Sequence, residues 1–443
     1  MRQLFFTACF LIMSCALCLS CSDMSAYGAQ DGMDKAFSSD LPDDSESGSD
    51  WAEGTDSDWT DTGSPDSASD AGSGQNEDAQ WEEVVDPDGG TLNEEIDGLA
   101  AGEWCDLEHW DFWRGLFEGP DSLWAPLESH WGFFTKGRIS VEVMNGETPV
   151  VDAEVKLSVD GDVNSSELFK ARTDNAGRAS LFVNLFTDLI FYVGAPYVIT
   201  AEKDGETSSV ELDSVRPDVP VEIQLGASPI PWTLDIMFVF DTTGSMGDEL
   251  SYFQAGLYSI LDRISVKTRD SILMRVSVNF YRDEGDEYVL RPYSFTTSAD
   301  RAVKQISMQS AEGGGDYAEA VEQALENAVF NHSWSESAVS RLLFLILDSP
   351  PRHKVPVLES IHQTVIEAAG KGIRIIPVAA SGSSNETEFL MRFMDVVTGG
   401  TYIFLTRADS NADEDIKRTV GDFKVENLDD LIVRLVLDSI ATD

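Results

Sequence analysis

The chain has 443 residues and a formal net charge of −49. A charge of that sign and size repels phosphate backbones and anionic lipid headgroups, which argues against a nucleic-acid partner. The length suggests two to three domains and ample room for a buried core.

Arg2 followed by the apolar run Leu4 to Leu19 reads as a secretory signal, too short to span a bilayer comfortably. Four of the five cysteines, Cys9, Cys15, Cys18 and Cys21, lie in or at the end of that region. Leu19-Ser20-Cys21 resembles the end of a bacterial lipoprotein signal, although Cys18 stands where an aliphatic residue is usual. The resemblance implies a signal over residues 1–21, lipidation at Cys21 and a place in the bacterial cell envelope. An ordinary secretory signal cleaved nearby is the other reading. After cleavage at Cys21 only Cys105 remains besides the anchor, which leaves no intramolecular disulfide framework.

Residues 22–95 are rich in Ser, Gly and Asp, and Lys35 is their one basic residue. Low hydrophobicity with high like charge cannot support a packed core, so a disordered, self-repelling spacer is expected. Residues 96–135 are dense in aromatics. Trp110, Trp113 and Phe117 recur at helical spacing, which fits a short helical junction clamped onto a neighbouring domain. An aromatic platform for carbohydrate or peptide is the competing reading.

Residues 136–226 read as all-β. Ile139, Val141 and Val143 alternate with polar residues, as do Ala153, Val155, Leu157 and Val159. Asn145-Gly146, Asp160-Gly161 and Asp204-Gly205 are turn signals between such runs. A β-sandwich is expected. The segments around Val150 to Val155 and Thr173 to Ala179 resemble carboxypeptidase regulatory-like and related bacterial Ig-like modules, which implies a spacer or partner surface.

Residues 227–443 alternate strands and helices, as in a doubly wound, Rossmann-like α/β domain. A strand at 234–240 is apolar apart from Asp235 and stops at Asp241, with hydroxyls following at Thr243 and Ser245. Buried parallel strands need such runs because both faces are covered. A carboxylate and two hydroxyls in one tight loop are the donors a small hard cation takes. A strand is predicted over 272–281 and another over 288–295, then helices over 299–309 and 317–330. A second apolar strand, Leu342 to Leu347, ends at Asp348. Helices at 356–369, 386–397 and 428–440 and strands at 373–379 and 401–405 complete the pattern.

Asp241-x-Thr243-x-Ser245 resembles the first segment of a von Willebrand factor type A domain, whose metal-ion-dependent adhesion site reads Asp-x-Ser-x-Ser. Gly313-Gly314-Gly315-Asp316-Tyr317-Ala318-Glu319 resembles a Gly-Gly-Gly-Asp variant of that family's second loop, with Asp316 where a threonine is usual. Asp348 matches the third segment. The resemblance implies a site for Mg²⁺, or Mn²⁺ or Ca²⁺, built from Asp241, Thr243, Ser245, Asp316 and Asp348. It also implies a non-enzymatic, metal-dependent adhesion module that takes a protein ligand through an acidic residue. Asp316 runs against that last point, because a further carboxylate repels an acidic ligand.

Two other functions compete. One is an architectural envelope protein with a vestigial metal site. The other is a hydrolase using Ser245 with His353 or His362, although Thr243-Gly244-Ser245-Met246-Gly247 lacks the first glycine of a nucleophile elbow.

Overall fold

The computed structural model describes residues 99–120, 122–159, 167–187, 196–216, 218–268, 271–315, 318–380, 382–406 and 419–442. The expected signal, Cys21, the acidic spacer and Asp316 lie outside them.

The described part begins with β1 (Ala100–Trp104) and two short helices, α1 (Trp110–Gly115) and α2 (Ala125–Trp131). Two four-stranded sheets follow. One joins β2 (Arg138–Asn145), β3 (Thr148–Pro149), β6 (Arg178–Phe182) and β9 (Val221–Gln224). The other, all antiparallel, runs β5 (Glu167–Arg172), β4 (Glu154–Val159), β7 (Tyr197–Lys203) and β8 (Glu206–Leu212). Side chains on a strand point alternately to its two faces. Accordingly Ile139, Val141, Val143, Val155, Leu157, Ile199 and Ala201 are fully buried, while Ser140, Glu142, Lys156 and Thr200 between them are not.

The rest is α/β: β10 (Thr233–Asp241), α3 (Gly247–Thr268), β11 (Leu273–Tyr281), β12 (Leu290–Arg291), α4 (Ala299–Ser307), α5 (Val321–Phe330), β13 (Ser340–Leu347), α6 (Val355–Lys371), β14 (Ile373–Ala379), α7 (Asn385–Thr398), β15 (Tyr402–Thr406), β16 (Val425–Asn427) and α8 (Leu428–Asp438). The sheet order is β12-β11-β10-β13-β14-β15-β1-β16. The five strands from β11 to β15 in that order are parallel, and β12, β1 and β16 pair antiparallel. From β10 the chain steps to β11 on one side and later to β13 on the other. Order therefore reverses between β10 and β13, and the crevice beyond their carboxyl ends is where such sheets bind ligands.

Alternation along these two strands feeds two cores. Ile236, Phe238 and Phe240, with Leu342, Phe344 and Ile346, pack toward α3, α4 and α8. Met237 and Val239, with Leu343, Leu345 and Leu347, pack toward α5, α6 and α7, and that core continues into the two β-sheets and the aromatic segment. β5 lies against α6 and β6 against α7.

Two predicted elements are shorter than the sequence expectation. The strand predicted over 288–295 shrinks to Leu290–Arg291, because Pro292 has no N–H for the ladder. The next amide, Tyr293 N, donates instead to Asn279 Oδ1 at 2.8 Å. The helix predicted from 317 starts only at Val321. Glu319 is held outside it by a bridge to Pro351, its N–H donating to the Pro350 carbonyl at 3.1 Å.

Residues 100–104, expected within a junction, lie inside the eight-stranded sheet between β15 and β16. A Cβ on Gly102 would sit 2.5 Å from the Phe404 ring, so only glycine fits this register. Behind β1, Trp113, Trp124, Trp131 and Phe133 are buried against α7, with Phe133 stacked on Phe393 at 4.0 Å between centroids. Among them lies a wholly buried ion pair. Arg392 of α7 donates from Nε to Asp106 Oδ2 at 2.8 Å and from Nη2 to Oδ1 at 2.6 Å. Its guanidinium lies 4.6 Å from the Trp124 ring centroid.

A second ion pair joins the β-sheets to the α/β part. Asp152 accepts from Arg341 Nη1 at 2.8 Å, from Arg172 Nη1 at 3.3 Å and from Ala338 N at 3.2 Å. Asp152→Ala is expected to cost about 2 kcal/mol in urea unfolding. The figure is modest for a buried charge because Arg341 keeps the Ser335 and Glu336 carbonyls as acceptors. A cost near zero would mean the latch contributes nothing to stability.

Candidate metal centre

The continuous apolar run of β10 carries Asp241 to the switch-point crevice, and that of β13 ends one residue before Asp348. Asp241 is 1% exposed. Its Oδ1 accepts from Thr243 N at 2.8 Å and from Thr243 Oγ1 at 2.7 Å, a tight turn that a short carboxylate side chain makes with its own backbone. Thr242 anchors the turn from below. Its Oγ1 donates to the Tyr281 carbonyl at 2.8 Å and lies 2.7 Å from the Tyr288 hydroxyl.

The glycine loop is tied to this turn. Gly244 N donates to the Gly313 carbonyl at 3.2 Å, and Glu312 N to the Thr242 carbonyl at 3.0 Å. Gly314, with φ of 72°, takes a left-handed conformation, and a Cβ there would come within 3.2 Å of Thr243 Cβ. Glycine is thus required both by backbone angle and by close approach. Its N–H donates to Asp286 Oδ2 at 2.9 Å. Asp283, beside it, is engaged by Arg352 through both carboxylate oxygens.

Of the five expected ligands, the structure joins Asp241 directly to Thr243. It sets Asp348 close enough for its charge to act on Asp241. Asp348 Oδ1 accepts from Ser349 Oγ at 2.9 Å. Ser245 is exposed on a 3₁₀ turn, Gly244–Met246, at the mouth of the crevice. Among the described residues no group of three His, Cys, Asp or Glu stands in a ready-made ligand arrangement.

The sequence reading missed Glu319. It is 4% exposed, and its bridge to Pro351 ties it to the segment that follows Asp348. Burial, then the charges of Asp241, Asp283 and Asp348, push its carboxyl up to about 8. Burial likewise pushes Asp241 up to about 7, against the two Thr243 hydrogen bonds and with Asp348 adding to the rise. The Tyr281 phenol beneath is wholly buried and close enough to Asp241 for its hydroxyl to oppose the rise weakly, although it does not reach regular hydrogen-bond geometry. Among the described residues, Asp241 Oδ2 and Glu319 Oε2 are both buried without a regular hydrogen-bond partner. Orphaned carboxylate oxygens that repel one another suit a hard divalent cation, which supplies the missing partner and offsets the repulsion. The motif run contained Glu319, but the only sign there was an acid three residues after Asp316.

His353 and His362 pack elsewhere, His353 stacked on His130 at 3.7 Å and His362 on Phe186 at 3.8 Å between centroids. Among the described residues neither ring hydrogen-bonds Ser245.

The chain is 24% identical over 191 residues to a protein of Acanthamoeba polyphaga mimivirus described as ariadne-like RING finger protein R811. That alignment covers 39% of this chain but only 18% of the viral protein. A solved structure, the conserved hypothetical protein BatB from Bacteroides thetaiotaomicron, aligns with 40% of this chain and 92% of its own length. Its sequence identity is 13% and its TM-score 0.30. The von Willebrand factor A domain family model matches residues 235–387, from β10 into α7.

Proposed function

We propose that the chain is a non-catalytic, divalent-cation-dependent protein-binding module of the cell envelope. The observation that carries this reading is the pair of buried, unpartnered carboxylate oxygens on Asp241 and Glu319 at the switch point of a von Willebrand factor A domain. Such domains commonly mediate protein interactions. Mg²⁺, or Mn²⁺ or Ca²⁺, would be held by Asp241 with the hydroxyls of Thr243 and Ser245, while Asp348, Asp316 and Glu319 complete or orient its shell. A partner would supply an oxygen to the remaining position. Once a cation has displaced the Glu319 proton, the acidic residues around it leave less repulsion for a neutral carbonyl or hydroxyl than for an acidic side chain. Arg2, the apolar run to Leu19 and Cys21 support lipid anchoring or secretion. The two β-sheets would act as an Ig-like spacer. No helix of the described residues is long and apolar enough to cross a membrane.

The test is thermal and urea unfolding of the protein in chelator and in each cation, at pH 5 and pH 8. A carboxyl whose folded value is raised holds a proton that the unfolded chain has already released. Its contribution to stability in chelator therefore falls as pH rises from about 4 to about 8, the window set by Asp241 and Glu319. Cation binding has the opposite slope, because the ligands must be deprotonated. At pH 8 a cation at about 100 times its Kd should add about 2.7 kcal/mol, and at pH 5 far less. No stabilisation at pH 8 by any of the three ions would remove the metal from the reading and leave an architectural protein.

A further inference from the structure

On the side of the α/β domain away from the metal crevice's loops, a cavity of about 240 Å³ opens where the aromatic segment, the β-sheets and the end of α7 meet. Its walls carry four arginines, Arg138, Arg172, Arg178 and Arg374, against two carboxylates, Glu108 and Asp174. In a chain of net charge −49 this is a local reversal of sign. Two of the arginines already have anionic partners: Arg172 meets Asp152, and Arg178 lies 3.5 Å from Glu142. The other two have none among the described residues. Arg138, 8% exposed, donates from Nε to Ser180 Oγ at 3.1 Å and lies 4.5 Å from the Trp110 ring centroid, and no described carboxylate stands within ion-pair distance of it. Arg374, near the start of β14, makes no hydrogen bond or ion pair with any described residue. Asp174 shares the cavity, but its Oδ1 already accepts from Ala176 N and Arg178 N at 2.8 Å each. Burial lowers both arginines from their ordinary value, Arg138 to about 10, while the charges of Asp218 on Arg138 and of Asp174 and Asp152 on Arg374 oppose the shift without closing an ion pair.

We propose that this cavity binds a small oxyanion, a phosphate or a compact dicarboxylate, between the guanidinium groups of Arg138 and Arg374. Two arginines without carboxylate partners, on separate strands of different sheets, fit the paired oxygens of such a group. The volume admits only a small molecule, below the usual range for drug-sized ligands. A bound anion would tie the β-sheets and the aromatic segment to the α/β sheet. The site is independent of the metal centre.

Inorganic phosphate and malonate, each titrated into the full chain by calorimetry and followed by thermal unfolding, test this. Potassium chloride at equal ionic strength is the control, since screening alone stabilises a strongly charged chain. Saturable binding of either anion is expected, and the tighter one identifies the ligand class. Arg374→Gln and Arg138→Gln should each weaken binding at least tenfold, while Arg178→Gln, on the exposed rim, should change it less than threefold. Arg374→Lys keeps the charge without the fork and should fall between. If Arg138→Gln loses structure with its Trp110 contact, Arg374→Gln gives the reading alone, and the reverse also holds. A response equal to that in chloride, or binding undiminished in whichever variants stay folded, overturns the proposal.

Discussion

Replacing Asp106 by alanine is expected to destabilise the protein by about 3–5 kcal/mol, the usual cost of stranding one member of a buried ion pair. Both side chains are wholly buried, and Arg392 cannot reach water to recover its hydration. Burial works against its charge, but Asp106 outweighs that and holds the guanidinium above its ordinary value. Without Asp106 the arginine retains, among the described residues, Glu388 and the Thr419 carbonyl as acceptors. The loss should spread, because Asp106 stands two residues after the end of β1 and precedes the tryptophans packed on α7. Urea unfolding should show it, together with faster proteolysis of residues 99–135. Asp106→Leu with Arg392→Met should recover most of the loss, since a buried pair exchanged for apolar side chains is often neutral. A single-variant cost below about 1 kcal/mol would show that the pair is not what fastens the aromatic segment.

That fastening was not legible in the sequence, and the reason is local. Ala100-Ala101-Gly102-Glu103-Trp104 has no β-branched residue and no clean alternation. It is a strand because β15 and β16 offer it two edges, a tertiary effect that propensity does not carry. β10 and β13 were legible for the opposite reason. Strands covered on both faces must be apolar without interruption, and an aspartate ending each run marks where the run meets the crevice. Glu319 fell between these cases. It stands two residues before the first residue of α5 and reads as helix, and only a bridge to a proline far along the chain turns it toward Asp241. The arginine-lined cavity left no motif, because Arg138 and Arg374 begin strands of separate sheets and meet only through the packing of β5 and β6 on α6 and α7.

The sharpest test of the metal centre is a variant whose effect should change sign with the ion. In chelator at pH 8, Asp241→Asn is expected to stabilise the protein by about 1–3 kcal/mol. Burial moves this carboxyl from 3.8 to about 7, so ionising it in place costs about 4 kcal/mol at pH 8, an upper bound for what the neutral amide recovers. The amide keeps an oxygen for the Thr243 N–H and Oγ1, so the turn survives, and part of the gain is lost in burying its own N–H groups. With cation saturating, the order should invert: the parent gains from binding, and the variant, lacking the carboxylate, does not. A residue held at a cost in the empty protein and repaid by an ion is the pattern of a functional position, where stability is given up for binding. Were Asp241 there only to cap its loop, Asp241→Asn would be neutral or destabilising in chelator and the cation response would be untouched. Measuring four unfolding curves, parent and variant with and without the ion, separates the two, and at pH 5 the curves in chelator should draw together because Asp241 is already protonated in the folded chain.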